Sequence, residues 1–234
     1  VAERPDRTAG RADRILDAAG VLLSRLGYRK VTIEDIASQA GIGKGTIYLH
    51  WPTKENLFHA LLLRESLRAA ENLLERLDED PAEVVPHRFQ RAAFLYTQRN
   101  PLLGALITGN TELLGRLKKH PLQDQDAVVT ERYLKTMTDR GLLRDDIPNL
   151  LFSLRASALG FYLMDSFTVD GADLTIEEKA DALAHIIRTA FEPPEPPSMA
   201  DLAATAAEVI QAFQDLISSY RAWIYRKDGP EEPA

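Results

Sequence analysis

Residues 32–54 read TIEDIASQAGIGKGTIYLHWPTK, and the fold follows from how that stretch divides. Thr32 and Asp35 head an apolar-periodic run at the spacing of a capping box. In that device the hydroxyl accepts an orphan backbone N–H while the carboxylate reaches back to the cap. Ile33, Ile36, Ala37 and Ala40 then share one helical face. Gly41 stands where the helix must stop, because a glycine just past the end takes the left-handed conformation without a Cβ clash. Lys44 to His50 is long enough for one more short helix, anchored inward by Ile47. Pro52 ends it, and Thr53 can cap the next. Helix, short glycine-containing turn, helix is the pattern whose second helix enters the DNA major groove.

Extended to Phe58, the stretch resembles the DNA-binding signature of the TetR family of transcriptional regulators. Ile36, Ala37, Ala40, Gly41, Lys44, Gly45, Thr46, Ile47, Tyr48, Pro52, Lys54, Glu55, Leu57 and Phe58 stand where that pattern has them or a close relative. Two departures matter. Gly43 replaces a hydroxyl-bearing residue at the start of the recognition helix, at the cost of a cap or phosphate contact. Leu49, His50 and Trp51 replace a His-Tyr-Phe type of run, which changes the bases that are read. The resemblance covers about the first quarter of the chain. It implies an all-α fold, with an N-terminal three-helix helix-turn-helix DNA-binding domain and a larger helical ligand-binding and dimerisation domain. It also implies a homodimeric regulator, most simply a repressor, that binds a pseudo-palindromic double-stranded operator and is released by a small-molecule effector.

The expected DNA-facing residues follow. Thr32 is a cap first, and the resemblance adds a phosphate contact. Gly43 opens the recognition helix, and Lys44 heads it, in place for a base edge or a phosphate. Gly45 lets the backbone approach DNA, and Thr46 offers a hydroxyl, or a methyl for thymine. Tyr48 and His50 are placed on phosphates by the resemblance. Leu49 contacts thymine or stands as a solvent-exposed bystander. Lys54 is expected to reach the DNA backbone through its ammonium and its helix N-terminus. Trp51, between two helices, reads as a packing wedge.

GIGKGT at 41–46 superficially suggests a phosphate loop. That loop needs a strand before it and Lys directly after its last glycine, whereas here a helix precedes and Gly45 follows Lys44. The dinucleotide pattern fails as well, its third glycine coming one residue early.

The net charge of −7 looks wrong for a DNA binder until it is divided. Residues 1–64 hold ten basic and seven acidic side chains, net +3, which leaves −10 for the remainder. A basic module on an acidic body suits phosphate binding, because the local field governs encounter and counterion release. The chain has no cysteine, which rules out disulfides and thiolate chemistry and suits a reducing compartment. No apolar run has the length of a membrane span and no signal-peptide core opens the sequence, so the expectation is a soluble cytoplasmic protein with no membrane contact.

Taken in order, residues 1–10 read as a solvated, disordered arm whose arginines could alternatively reach a minor groove. A helix over 11–26 carries Ile15, Ala19, Leu22 and Leu26 on one face and completes, with the helix-turn-helix, a DNA-binding domain of 11–52. Residues 53–81 form a connecting helix, apolar nearly all round at its start and amphipathic later. Residues 82–192 read as helices at 83–99, 101–118, 122–140, 147–168 and 175–191, the last opened by a second capping box at Thr175 and Glu178. By the resemblance, 147–168 and 175–191 pair with their copies as the dimer interface.

An effector pocket is implied in the same domain. The candidate lining mixes aromatic, aliphatic and isolated polar residues: Phe89, Phe94, Tyr96, Leu106, Asn110, Tyr133, Met137, Phe152, Arg155 and Tyr162. Arg155 is a permanent charge in an apolar run and needs a partner. A ligand carboxylate would serve; an acidic residue across the dimer is preferred. Beyond a stiff EPPEPP linker at 192–197, a helix over 198–226 repeats Leu202, Ala206, Val209, Phe213, Leu216, Tyr220 and Trp223 at heptad spacing. The resemblance gives no account of it, so residues 193–234 are read as an appended helix that packs on its own domain or the partner subunit, or else docks another protein.

The five histidines make no metal-ligand spacing, and no nucleophile–base or paired-carboxylate arrangement stands out. No catalytic residues, metal or cofactor are expected. The competing readings are a DNA-binding regulator controlled by a protein on the C-terminal helix, and an all-helical enzyme with an incidental motif.

Overall fold

The computed structural model describes residues 7–115, 117, 123–164 and 174–225, and all regular structure among them is helical. Helix α1 (Arg7–Leu26) begins four residues ahead of the expected start, so Arg7 to Gly10 belong to a helix rather than to an arm. The rest of the expected arm, residues 1–6, lies outside the described residues. α1 buries Ile15, Leu16, Ala19, Leu22 and Leu23 and ends at Gly27, whose φ of 74° only a glycine takes without strain.

Helix α2 (Ile33–Ala40) packs on α1, α3 (Lys44–Tyr48) packs on α2, and α1 packs on α4 (Lys54–Glu79), with Ile36, Ile47 and Trp51 closing the small core. After its first residues α4 is buried on every side from Leu57 to Glu65, as the apolar run Leu57–Leu63 requires. Asp80 then caps a 3-10 turn (Pro81–Val84), and α5 (Pro86–Gln98) follows. Pro86 and Pro101 each occupy a first helical position, where their missing N–H leaves no bond unmade.

The expected single helix at 101–118 is broken. α6 (Pro101–Thr108) stops at Gly109, which takes φ 65°, and Asn110 then caps the one-turn α7 (Thr111–Leu114). Helix α8 spans Gln123–Asp139. The expected 147–168 helix is shorter: α9 (Leu150–Leu163) starts after Asn149, whose φ of 51° interrupts the backbone, and residues 165–168 lie outside the described residues. Helix α10 (Ile176–Phe191) opens with the expected capping box, Thr175 Oγ1 accepting from Glu178 N at 3.2 Å.

In the body, α10 packs along α5, while α9 lies across α5, α6 and α10 with only Leu154 fully buried. Helix α11 (Met199–Ile224) returns along α4, the 3-10 turn and α8. Its heptad stripe faces inward: Leu202, Ala206, Val209, Leu216, Tyr220 and Trp223 are buried and Phe213 is half-buried. Residues 226–234 and the gaps between expected helices at 119–121 and 169–173 lie outside the described residues.

Candidate nucleic-acid interface and effector cleft

The capping box at the head of α2 is complete. Thr32 Oγ1 accepts from Asp35 N at 3.1 Å, and Asp35 Oδ2 accepts from Thr32 N at 3.0 Å. Gly41 takes φ 67° between the helices, and Ile42 N donates to Ala37 O at 3.0 Å. Gly43 caps α3 with no side chain, so the first amides of the recognition helix receive no side-chain bond from it. Thr46 N donates to the Gly43 carbonyl at 3.0 Å, which leaves the Lys44 and Gly45 amides as the ones that a phosphate could meet.

The exposed face of α3 carries Gly43, Lys44, Gly45, Tyr48 and Leu49, the last 76% exposed, while Thr46 and His50 are half-buried at its edges. No atom lies within 4 Å of where a Gly45 side chain would stand, so a groove wall can meet that backbone directly. Lys44 Nζ is paired with the Glu34 carboxylate, which holds the ammonium's pKa up and the carboxyl's down. Its Nζ also stands 5.8 Å from the centre of the Tyr48 ring. The His50 imidazole lies 5.3 Å from the Trp51 ring. Burial first, and then the positive charge of Arg11, push its pKa below the usual histidine range.

Lys54 departs from the expected role. Its ammonium donates to the Tyr28 carbonyl at 2.6 Å and sits 4.4 Å over the Tyr28 ring. Burial lowers its pKa. The side chain ties the start of α4 to the turn after α1, which leaves the α4 N-terminus, rather than the ammonium, for a phosphate. Trp51 is fully packed, as expected.

Specific bonds connect this module to the rest of the chain. Tyr28 N donates to Leu113 O at 2.9 Å, so the turn before α2 is bonded to α7. Arg64 of α4 is only 3% exposed; its Nη1 meets Asp17 Oδ1 at 2.9 Å and the Asp13 carbonyl at 3.1 Å, both on α1.

Within the body, α5, α6, α8 and α9 enclose a cleft of about 470 Å³ lined by Gln90, Ile107, Thr130, Tyr133, Leu134, Leu154, Arg155, Ala158, Leu159 and Tyr162. Of the expected lining residues, Tyr133, Arg155 and Tyr162 stand there. Phe89 stacks on Tyr133 at 4.9 Å, behind the wall. Phe94 and Met137 are fully buried core, Phe94 against Phe161 and Tyr162, and Leu106 packs on the same core. Asn110 is spent as the cap of α7. Tyr96 borders a separate groove with Asn72, Arg76, Arg99 and Asn100, and Phe152 is 73% exposed on the outer face of α9. Helical spacing cannot tell which side of an apolar run faces a cavity, and these seven fell on other sides.

The family model "Bacterial regulatory proteins, tetR family" matches residues 15–61, the interval that holds α2, α3 and both anchors of the turn. Residues 15–61 match the DNA-binding domain of the TetR family. That family is one of DNA-binding transcription regulators, and the chain spans about half the length of the first relative it matches. It is 27% identical over 107 residues to the nucleoid occlusion factor SlmA of Shewanella woodyi, a match covering 45% of this chain and 53% of that protein. It is 29% identical over 131 residues to the fatty acid metabolism regulator protein of Bacillus subtilis, covering 50% and 66%. Its fold is similar to that of the TetR-family protein CprB from S. coelicolor A3(2), with a TM-score of 0.54, 24% identity, and 86% and 98% of the two chains covered.

The cleft residues that the sequence reading missed include Leu154, Ala158 and Leu159. Leu154, Ala158 and Tyr162 recur every fourth residue, a row that a search from Tyr162 backwards along α9 would have found. Among the described residues no group of acidic or histidine side chains is placed to hold a metal, and no helix is long and apolar enough to cross a membrane.

Proposed function

We propose that this regulator is a cytoplasmic homodimeric repressor that binds a pseudo-palindromic operator and releases it when a small molecule enters the body. The division of labour is 11–52 for DNA, 53–81 as connector, 82–192 for effector and dimerisation, and 193–234 as an appended brace. On DNA, α3 lies in the major groove with Gly43, Lys44, Gly45, Thr46 and Leu49 at the bases, while Thr32, Tyr48 and His50 position the phosphates.

The bond from Tyr28 N to Leu113 O carries the proposal. Ile107 places α6 in the cleft wall, and the chain runs on through Gly109 into α7, which holds the turn immediately before α2. A ligand that fits only one setting of α6 therefore biases the setting of the DNA-reading helices, to the extent that its affinity differs between the two.

Dimerisation uses the outer faces of α9 and α10. Phe152, Leu159 and Met164 are exposed on one and Ile186 on the other, an apolar set with no cover among the described residues. Burial of the α11 stripe on its own chain favours a bracing role for that helix over a docking face.

Selection of bound sequences from random duplex DNA tests the reading. An enriched inverted repeat with half-sites about one helical turn apart is expected. Enrichment of single half-sites, or of nothing by a folded dimer, would overturn it.

A further inference from the structure

The cleft wall is almost wholly apolar, with one charge. Ile107, Leu134, Leu154, Ala158 and Leu159 supply aliphatic surface and Tyr133 and Tyr162 supply rings. Among the described lining residues Arg155 is the one basic side chain, and none is a carboxylate. Arg155 is exposed, so it stands on the rim, and it makes no ion pair with a described residue. Several other arginines of the body are matched, Arg91 with Asp181, Arg99 with Glu177 and Arg144 with Asp146, whereas Arg132, away from the cleft, has no ion pair with a described residue either. A lone cation on an acidic body, at the edge of an apolar cleft, focuses a positive field where a ligand enters.

Its partner could come from a second copy across the α9–α10 face, but the described carboxylates of that face are already engaged. α9 contains none. On α10, Glu177 holds Arg99 at 2.7 Å, Asp181 holds Arg91 at 2.6 Å, and Glu178 closes the capping box with Thr175 at 2.8 Å. Among the described residues, no uncommitted carboxylate is left on that face to serve as the anion.

We propose that the effector is an apolar compound bearing one carboxylate, its body filling the cleft and its carboxylate paired with Arg155. A planar guanidinium meets a carboxylate through two parallel N–H bonds, whereas a phosphate dianion would call for a second cation that the cleft lacks. The proposal rests on the reading of this cleft as the effector site.

Calorimetric titration of the full chain with decanoate, 1-decanol and decylamine, each below its aggregation threshold, tests it. Decanoate is expected to bind about 10- to 100-fold more tightly than decanol, with decylamine weakest. Arg155→Met should erase the decanoate preference while keeping decanol binding and the sedimentation coefficient of the parent. Ala158→Trp should reduce binding of all three. Equal affinity for decanoate and decanol, or a preference that survives Arg155→Met, overturns the carboxylate assignment while leaving the cleft as a ligand site. Loss of self-association in Arg155→Met assigns Arg155 to the interface and overturns it too. If no probe binds and Ala158→Trp changes nothing, the cleft itself falls as the effector site.

Discussion

Tyr225 Oη donates a 2.8 Å hydrogen bond to Asp13 Oδ1, joining the residue just after α11 to the first helix of the DNA-binding module. The same Asp13 offers its carbonyl to buried Arg64 on α4. Three helices far apart in sequence therefore meet at one joint, and the appended helix becomes part of the frame that orients α3. Trp223 and Ile224 are buried beside it, with the Trp223 ring 6.4 Å from that of His59.

Tyr225→Phe removes one hydrogen bond to a charged acceptor and should cost about 1 kcal/mol, or about 2–4 °C in thermal midpoint for a chain of this size. Trp223→Ala empties a packed site and should cost about 3–5 kcal/mol. Burial, and then Asp13, push the Tyr225 hydroxyl up to about 12. The folded state keeps a proton that the unfolded chain loses near pH 10, so this contribution is complete below about pH 10 and is lost as pH rises toward 12. Denaturant titrations at pH 9 and 11 check this. An alkaline slope unchanged in Tyr225→Phe would mean that the bond does not form.

Lys44 reaches DNA only by leaving Glu34. Lys44→Ala should leave the thermal midpoint near that of the parent, because the side chain is half-exposed, and should weaken operator binding by about 1–3 kcal/mol if it reads a base edge. If it meets a phosphate instead, the salt dependence should flatten by about one unit of log–log slope. Glu34→Gln should strengthen binding at low salt by freeing the ammonium. Fluorescence anisotropy across a salt series separates these cases, and unchanged affinity in both variants would remove α3 from the groove.

Local chemistry made the DNA-reading module legible in the sequence. A hydroxyl three residues before a carboxylate, a glycine at a helix end and a proline after a short helix each act within one turn, so Thr32, Asp35, Gly41 and Pro52 could be placed without knowing what packs on them. The heptad stripe of α11 was readable for the same reason, though its partner was not. The cleft was obscured because an aromatic on an apolar face looks alike whether it meets a core or a void: Phe94 and Tyr162 touch each other, yet only Tyr162 lines the cleft. Lys54 misled for a different reason. Its position at a helix start suggested a phosphate, but the Tyr28 carbonyl that captures it is 26 residues away and visible only in the fold. Arg64 and Asp13 form their joint across 51 residues, beyond any local pattern.

The outer face of α9 offers a direct test of dimerisation. Phe152→Glu and Leu159→Glu replace exposed side chains, so the isolated fold should survive them with little change in helical content. Placed in an apolar interface, each would bury an unpaired charge, and sedimentation velocity should show monomer at concentrations where the parent is dimeric. Operator binding should fall with dimerisation, since one half-site contact would remain per chain. A dimer that persists in the double variant would place the interface elsewhere.

His50 gives the protein a readable pH signature. Burial and the charge of Arg11 hold its imidazole below the usual range, so it is neutral at pH 7 in free protein. The unfolded chain binds a proton near pH 6.5 that the folded chain takes up only at lower pH. Its contribution to stability is therefore complete above about pH 6.5 and is lost as pH falls toward the folded value. A DNA phosphate beside the ring reverses that preference by favouring the charged form, so operator binding should take up a proton. Affinity should rise as pH is lowered from 7.5 through 6 at constant ionic strength, and His50→Gln should flatten the rise without abolishing binding. Parallel pH profiles for parent and variant would show that no phosphate comes to His50, and the edge of α3 that carries it would then face away from the duplex.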